Sequence, residues 1–115
     1  MVRGRGAEDA AATFLTQSGY QILDRNFRTR QGELDVVARR DGVLCFVEVR
    51  QRSRSDHGTP EESITRQKRR RLAAAAEQYL VARGFSAEPC RFDVVAIDGE
   101  GQMRLLEDAF RLEDC

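Results

Sequence analysis

The chain has 115 residues, of which 41% are hydrophobic and 33% are charged, with only two prolines. This length suits one domain, which we expect to span residues 1–115, and the composition excludes disordered, collagen-like and mucin-like chains. No apolar run is longer than that of Val43 to Val47, which is too short for a transmembrane helix, and the polar start lacks the apolar core of a secretory signal. We therefore expect a cytoplasmic protein with no membrane partner.

The net charge is zero, but the charges are unevenly distributed along the chain. Residues 50–71 contain eight basic and three acidic residues, whereas residues 72–115 contain four basic and nine acidic residues. A neutral protein can therefore carry a basic face, and the local field matters more to a phosphate backbone than the net charge. Lys68 is the only lysine, so any chemistry that needs an amine has a single candidate.

The three cysteines, Cys45, Cys90 and Cys115, are widely spaced and form no CxxC pair, which indicates neither a zinc site nor a disulfide framework. Cys45 lies in an apolar run and is interpreted as a small core residue. His57 stands alone in a polar loop, and we interpret it as a solvated residue rather than a metal ligand.

The first half of the chain is predicted to form a helix and three strands. Apolar residues at helical spacing predict a helix from Ala7 to Ser18, and Tyr20 to Phe27 follows as a short strand. Two valine-rich strands, Leu34 to Arg39 and Val43 to Arg50, are joined by Asp41-Gly42. Asp-Gly between such runs is a strong signal for a two-residue hairpin.

The second half is predicted to form a helix and two strands. The helix has two alternative starts, at Thr59-Pro60 or at Thr65, and ends near Arg83. Strands follow from Arg91 to Ile97 and from Met103 to Leu106. The order αβββαββ predicts an α/β protein with a central mixed β-sheet flanked by helices.

The hairpin predicts that two carboxylates face each other. If Asp41 and Gly42 form the turn, Arg40 pairs with Val43, and Asp35 then lies opposite Glu48 on one face of the sheet. Facing carboxylates repel, so a shared proton, a bound cation or salt bridges must offset them. Paired carboxylate oxygens suit Mg²⁺ or Mn²⁺, whereas nearby arginines favour salt bridges, and the two alternatives remain open.

The same register makes two further predictions. It places Glu33 opposite Arg50, so that the Glu33 carboxylate can hold the Arg50 guanidinium. It also predicts that the opposite face is core throughout: Leu34, Val36, Ala38, Cys45, Val47 and Val49.

Charged residues at the starts of both helices are further candidates. Glu8 continues the apolar stripe of the first helix, where a carboxylate needs a partner or an ion, although an acid in a first helical turn is also ordinary. The second helix begins with five basic residues and no acid lies between Glu62 and Glu77. Such a cluster suits a phosphate backbone, with a solvated charged face as the alternative. Its members are Arg66, Lys68, Arg69, Arg70 and Arg71.

The motifs of residues 32–38 (GELDVVA), 46–50 (FVEVR), 63–70 and 91–95 (RFDVV), with Glu8, Gly19, Asn26 and Arg28, resemble the YraN-like family of uncharacterised bacterial proteins. The resemblance covers about residues 6–106. That family is similar to the PD-(D/E)xK nuclease superfamily, which includes Holliday-junction resolvases and restriction endonucleases. The resemblance therefore implies a restriction-endonuclease-like fold and a Mg²⁺- or Mn²⁺-dependent endonuclease that acts on DNA, including branched or structured DNA, as a symmetric homodimer.

The resemblance also implies roles for individual residues. Asp35 and Glu48 correspond to the metal ligands, and Glu8 corresponds to the helix-borne acid of the resolvase-like branch. Arg50 replaces the motif lysine; arginine keeps the charge but accepts a proton poorly. Arg50 and Lys68 are expected to supply positive charge at the phosphate. Independently of the resemblance, Lys68 is the only lysine and lies one turn before Leu72 on the sheet-facing stripe of the second helix, so we expect it to supply the amine chemistry if the protein cleaves DNA. The alternatives are a non-catalytic nucleic-acid-binding or adaptor protein on the same fold, and a partner-binding domain that touches no nucleic acid.

Overall fold

The computed structural model describes residues 3–53 and 58–115, with side chains from Gly6 onward, so His57 lies outside the described residues. Within these ranges the predicted α/β class and element order are confirmed. The elements are α1 (Arg3–Gln17), β1 (Gln21–Arg28), β2 (Glu33–Arg40), β3 (Val43–Gln51), α2 (Arg66–Arg83), β4 (Cys90–Ile97) and β5 (Met103–Phe110). The described strands form one sheet in the order β1-β2-β3-β4-β5, in which β3 and β4 are parallel and the other neighbours are antiparallel.

The hairpin between β2 and β3 has the predicted turn and register. Asp41 and Gly42 both have positive φ, at 52° and 78°, as a two-residue turn of this kind requires. Arg40 pairs with Val43, and the pairing continues to Val36 opposite Val47, where the regular ladder ends. Asp35 and Glu48 are the next residues on the two strands.

Each face of the sheet carries one apolar core. Helix α2 packs on the face of Val37 and Phe46 through residues that include Leu72 and Tyr79. Helix α1 packs on the opposite face through Ala11 and Leu15, against the following buried residues of β2, β3 and β4: Val36, Ala38, Cys45, Val47, Val95 and Ile97. The predicted burial of Cys45 is confirmed.

Leu34 corrects the predicted face assignment. Alternation predicts that Leu34 shares a face with Val36, but Leu34 packs in the α2 core with Val37. The strict alternation of a strand requires a regular ladder, and the pairing of β2 with β3 has ended by this point. The break in alternation therefore falls at Asp35.

The segment before α2 resolves the two alternative starts. Thr65 caps α2, because its hydroxyl accepts a hydrogen bond from the Lys68 N–H at 3.1 Å. Thr59 precedes a separate short 3₁₀ turn, Glu61–Ser63, and its backbone N–H donates to Glu62 Oε1 at 2.7 Å. Strand β5 extends to Phe110, beyond the predicted end at Leu106, because Phe110 pairs with Phe92 past an irregularity in the ladder.

A fully buried carboxylate, Asp93 of β4, stabilises this irregularity. It accepts hydrogen bonds from the Tyr20 hydroxyl at 2.6 Å, from Arg91 Nε at 2.9 Å and from the Asp108 backbone N–H at 2.8 Å. Burial and the hydrogen bond to Asp93 raise the pKa of Tyr20 to about 12. Asp93 is thus a structural acid on the α1 side of the sheet whose hydrogen bonds are all made within the protein.

No helix in the described ranges is long and apolar enough to cross a membrane.

Candidate functional site

A cavity of about 400 Å³ opens where the ladder between β2 and β3 ends. Three acids and two cations that were predicted as site residues line it: Glu8, Asp35, Glu48, Arg50 and Lys68. They come from α1, β2, β3 and α2. Residues 60 positions apart in sequence therefore share one pocket.

Asp35 and Glu48 interact at the centre of this cavity. Glu48 is only 6% exposed, and Asp35 is half-buried. Burial and then the nearby negative charge of Glu48 raise the pKa of Asp35 to about 7, and a hydrogen bond from the Val49 backbone N–H to Asp35 Oδ2, at 2.8 Å, partly opposes this rise. The predicted meeting of the two carboxyl groups is therefore present in the structure.

Two cations approach the same oxygen of Glu48. Lys68 Nζ lies 3.6 Å from Glu48 Oε2, and Arg50 Nη1 lies 3.8 Å from it. Lys68 can reach this oxygen because α2 packs on the face of the sheet that carries Phe46 and Glu48. The sole lysine of the chain thus lies at the carboxylate pair, as its position on the sheet-facing stripe predicts.

The predicted pairing of Arg50 with Glu33 is wrong. Glu33 accepts a hydrogen bond from Arg28 Nε at 2.6 Å, across the β1–β2 ladder. Arg50 instead contacts Glu48 and donates from Nη2 to the Ser63 carbonyl oxygen at 3.3 Å. Extrapolation of the hairpin register fails here because the ladder stops before Arg50 and Glu33 would face each other.

Glu8 enters the cavity from α1 and depends on a residue that sequence reasoning missed. Burial and then the charge of Asp35 raise the pKa of Glu8, and a hydrogen bond with the Asn26 side chain opposes this rise. Asn26 lies in β1 between the pairs Arg25–Val36 and Phe27–Leu34, across from Asp35, and its φ is 57°. A left-handed asparagine inside a strand is uncommon, and the only sequence signal was its place in the family pattern.

The basic start of α2 divides into two groups. Arg66, Arg70 and Arg71 are exposed, and within the described ranges none of them forms a salt bridge. Arg69 is turned inward: its guanidinium lies 4.8 Å from the Phe110 ring centroid and donates to the carbonyl oxygens of Ile64 and Glu61. Arg69 is therefore committed to contacts within the protein, unlike the other predicted phosphate-binding arginines.

Comparison with known sequences identifies the family. The sequence model of the uncharacterised protein family UPF0102 matches residues 7–97. The chain belongs to this family. The UPF0102 protein of Symbiobacterium thermophilum is 50% identical over 111 residues, which cover 93% of this chain and 94% of that protein. The UPF0102 protein of Dechloromonas aromatica is 50% identical over 112 residues, which cover 97% and 91% of the two chains.

The match confirms the YraN-like resemblance, and the family description assigns no reaction. The chemistry of this UPF0102 protein therefore has to be argued from its own cavity. Among the described residues, no three Asp, Glu, His or Cys side chains converge closely enough to form a complete metal cluster. The cavity instead offers one close carboxyl pair, Asp35 and Glu48, with Glu8 as a third acid on its wall.

Proposed function

We propose that this UPF0102 protein is a metal-dependent endonuclease that hydrolyses phosphodiester bonds in DNA, including branched or structured DNA. The observation that carries the proposal is the single cavity in which Glu8, Asp35 and Glu48 lie beside Arg50 and Lys68. Metal-dependent hydrolysis of a phosphodiester needs ligands for a divalent cation and benefits from positive charge at the phosphate, and this set supplies both. The similarity of the YraN-like family, which the surrounding motifs resemble, to PD-(D/E)xK nucleases supports the same reaction.

The acids present fit Mg²⁺ or Mn²⁺. Asp35 and Glu48 are oxygen donors, and burial beside Glu48 raises the pKa of Asp35 to about 7, so the pair favours either a proton or a cation between its oxygens. Glu8 adds a third carboxylate from α1. Mg²⁺ commonly retains several waters and uses one or two protein carboxylates, so a complete protein cluster is not required. When bound, such an ion supplies electrophilic stabilisation of the phosphate and lowers the pKa of water.

The two cations have separable roles in this proposal. Lys68 holds its amine 3.6 Å from Glu48 Oε2, where it can hold or move a proton near the carboxylate pair. The Arg50 guanidinium contacts Glu48 and donates to the Ser63 carbonyl, so it can orient the Glu48 carboxylate. Positive charge at this wall also offsets the charge of an incoming phosphate.

The deciding experiment is a cleavage assay with Mg²⁺ or Mn²⁺ on duplex, single-stranded, flap and four-way-junction DNA. Asp35→Asn should abolish cleavage. Asp41→Asn is the matched control, because it makes the same chemical change at an exposed turn position of the same hairpin whose positive φ asparagine tolerates. The proposal fails if no DNA is cut with either ion, or if the Asp35→Asn protein cuts at the wild-type rate.

A non-catalytic nucleic-acid-binding or adaptor function is the second candidate. It is favoured by Arg50, since arginine replaces the motif lysine and accepts protons poorly. Calorimetry separates the candidates: the endonuclease should bind Mn²⁺ and Glu48→Gln should abolish that binding, whereas an adaptor has no need of the ion. Steep salt dependence of DNA affinity distinguishes both from a partner-binding domain that ignores nucleic acid. A resolvase-like enzyme should also sediment as a dimer.

A further inference from the structure

A second groove, of about 740 Å³, adjoins the candidate site. It runs between the loop that joins β1 to β2, residues 29–32, and the first turns of α2. Lys68 lines both this groove and the carboxylate cavity, so the two are contiguous. A chain molecule that lay in the groove would reach the cavity at its end.

The two walls of the groove carry arginines whose charge is not neutralised. Arg30 projects from the loop, and Arg70 and Arg71 from α2. All three are exposed, and in the described part of the chain none has a salt bridge. The acid in the described lining is Glu33, which is already paired with Arg28 at 2.6 Å. The groove is therefore cationic on both sides.

The loop wall is held in place by α2. Gly32 lies so close to the helix that a Cβ atom there would be 2.8 Å from the Arg71 carbonyl oxygen, and Gln78 donates a hydrogen bond to the Gln31 side chain. Within the loop, Thr29 Oγ1 accepts from the Gly32 N–H at 3.0 Å. The spacing between the two cationic walls is thus fixed before any ligand binds, which lowers the cost of binding.

The groove offers charge but no platform for bases. Its described lining contains no aromatic side chain, whereas proteins that hold single strands stack successive bases on aromatic rings. Arginine contacts with the sugar–phosphate backbone fix the position of a nucleic acid and carry no sequence information. The ligand chemistry is therefore that of a backbone with phosphates at fixed spacing, which a duplex presents and a flexible single strand does not.

We propose that this groove binds the backbone of one strand of double-stranded DNA and leads it to the carboxylate cavity, with the β1–β2 loop as a binding wall. The inference rests on the proposed function for its substrate but not on cleavage. Arg30 becomes a DNA-contacting residue although it lies about 40 residues before the basic cluster of α2 in the sequence.

The test measures DNA binding by fluorescence anisotropy in EDTA, so that a failure of cleavage does not affect it. Arg30→Gln should lower the slope of log affinity against log salt by about 0.9, and Arg30→Gln combined with Arg70→Gln by about 1.8. Arg104→Gln is the matched control: Arg104 is also exposed and without a described salt bridge, but it lies on β5 at the opposite edge of the sheet. The Arg104→Gln protein should show the same slope of log affinity against log salt as the wild type.

A single strand of the same length should bind at least about tenfold more weakly than the duplex, because the groove cannot stack its bases. Sequence changes in the duplex should leave the affinity unaltered. The proposal is overturned if Arg30→Gln and Arg104→Gln change the slope equally, or if the single strand binds as tightly as the duplex. A normal Arg30 effect without cleavage by the wild type would support the groove and refute the nuclease.

Discussion

Asp35 Oδ2 accepts a hydrogen bond from the Val49 backbone N–H at 2.8 Å, at the point where the β2–β3 ladder ends. At this position the Asp35 side chain, and not the backbone of the neighbouring strand, accepts the hydrogen bond of the Val49 N–H. The bond fixes the Asp35 carboxyl group toward Glu48 and opposes the rise of its pKa, but burial and the Glu48 charge outweigh it, and the pKa reaches about 7. The site thus contains an acid that keeps its proton at pH values where an ordinary aspartate is ionised.

This shift predicts how stability depends on pH in the absence of divalent ions. Between the ordinary Asp pKa of 3.8 and about 7, the folded protein holds a proton that the unfolded chain has released. The stability that this proton provides is therefore fully present below about pH 4 and is lost as the pH rises through 7. Asp35→Asn should remove this loss and stabilise the protein at pH 8 by at most about 4 kcal/mol.

Urea unfolding in EDTA at pH 5 and pH 8 checks this prediction for both proteins. The difference in the free energy of unfolding between Asp35→Asn and wild type should grow with pH. The same difference at both pH values would contradict a raised Asp35 pKa.

Asp93 provides the contrast of a buried acid with a full set of partners. Its carboxylate is fully buried and accepts from Tyr20, Arg91 and the Asp108 N–H. Asp93→Ala should cost about 3–5 kcal/mol, because it leaves the largely buried Arg91 charge without its main partner. Urea unfolding at pH 7 measures this loss. A cost below 1 kcal/mol would show that the network is dispensable.

The outcome at the hairpin explains which parts of the site could be predicted from sequence. Asp41-Gly42 dictates a local turn, the turn fixes the register, and the register brings Asp35 to Glu48. Each of these steps involves neighbours in the chain. The partner of Arg50 and the face of Leu34 could not be predicted in this way, because both depend on where the ladder ends, which is decided by packing with distant elements.

Asn26 is the clearest case of a feature that sequence could not reveal. Its left-handed backbone lies within β1, where alternation predicts ordinary extended geometry. The conformation accompanies a hydrogen bond to Glu8 on α1, which is a tertiary contact. Asparagine is depleted in strands, so its sequence preferences do not predict its position inside β1.

The Asn26 contact predicts a positioning role that two substitutions can separate from backbone strain. Asn26→Gly keeps the left-handed conformation accessible but removes the amide that holds Glu8. It should weaken Mn²⁺ binding by about 10–100-fold, the usual effect of losing a group that orients a metal ligand. Asn26→Ala should have the same effect on the ion and also destabilise the fold by about 1–2 kcal/mol, because alanine disfavours this φ.

Calorimetry with Mn²⁺ and urea unfolding provide the two readouts. If the Asn26→Gly protein binds Mn²⁺ as tightly as the wild type, the hydrogen bond between Asn26 and Glu8 does not position Glu8 as a metal ligand.

The last prediction concerns the lysine that the motif lacks at position 50. Lys68 Nζ lies at 3.6 Å and Arg50 Nη1 at 3.8 Å from the same Glu48 oxygen, so both cations are at the carboxylate pair. Of the two, only the amine can readily lose a proton. Lys68→Met should therefore lower cleavage by at least about 10²-fold, the range of a positioned acid–base group, which is a far larger loss than that of DNA affinity.

Two conservative exchanges sharpen this assignment. Lys68→Arg keeps the charge but not the acid–base chemistry, so it should bind DNA normally and remain as inactive as Lys68→Met. Arg50→Lys should retain or raise cleavage, because it restores an amine at the motif position while the charge beside Glu48 is kept. Single-turnover cleavage rates and DNA affinities of the three variants provide the measurement. Normal cleavage by Lys68→Met would remove the amine from the mechanism, and loss of cleavage in Arg50→Lys would show that the guanidinium contact with the Ser63 carbonyl is itself required.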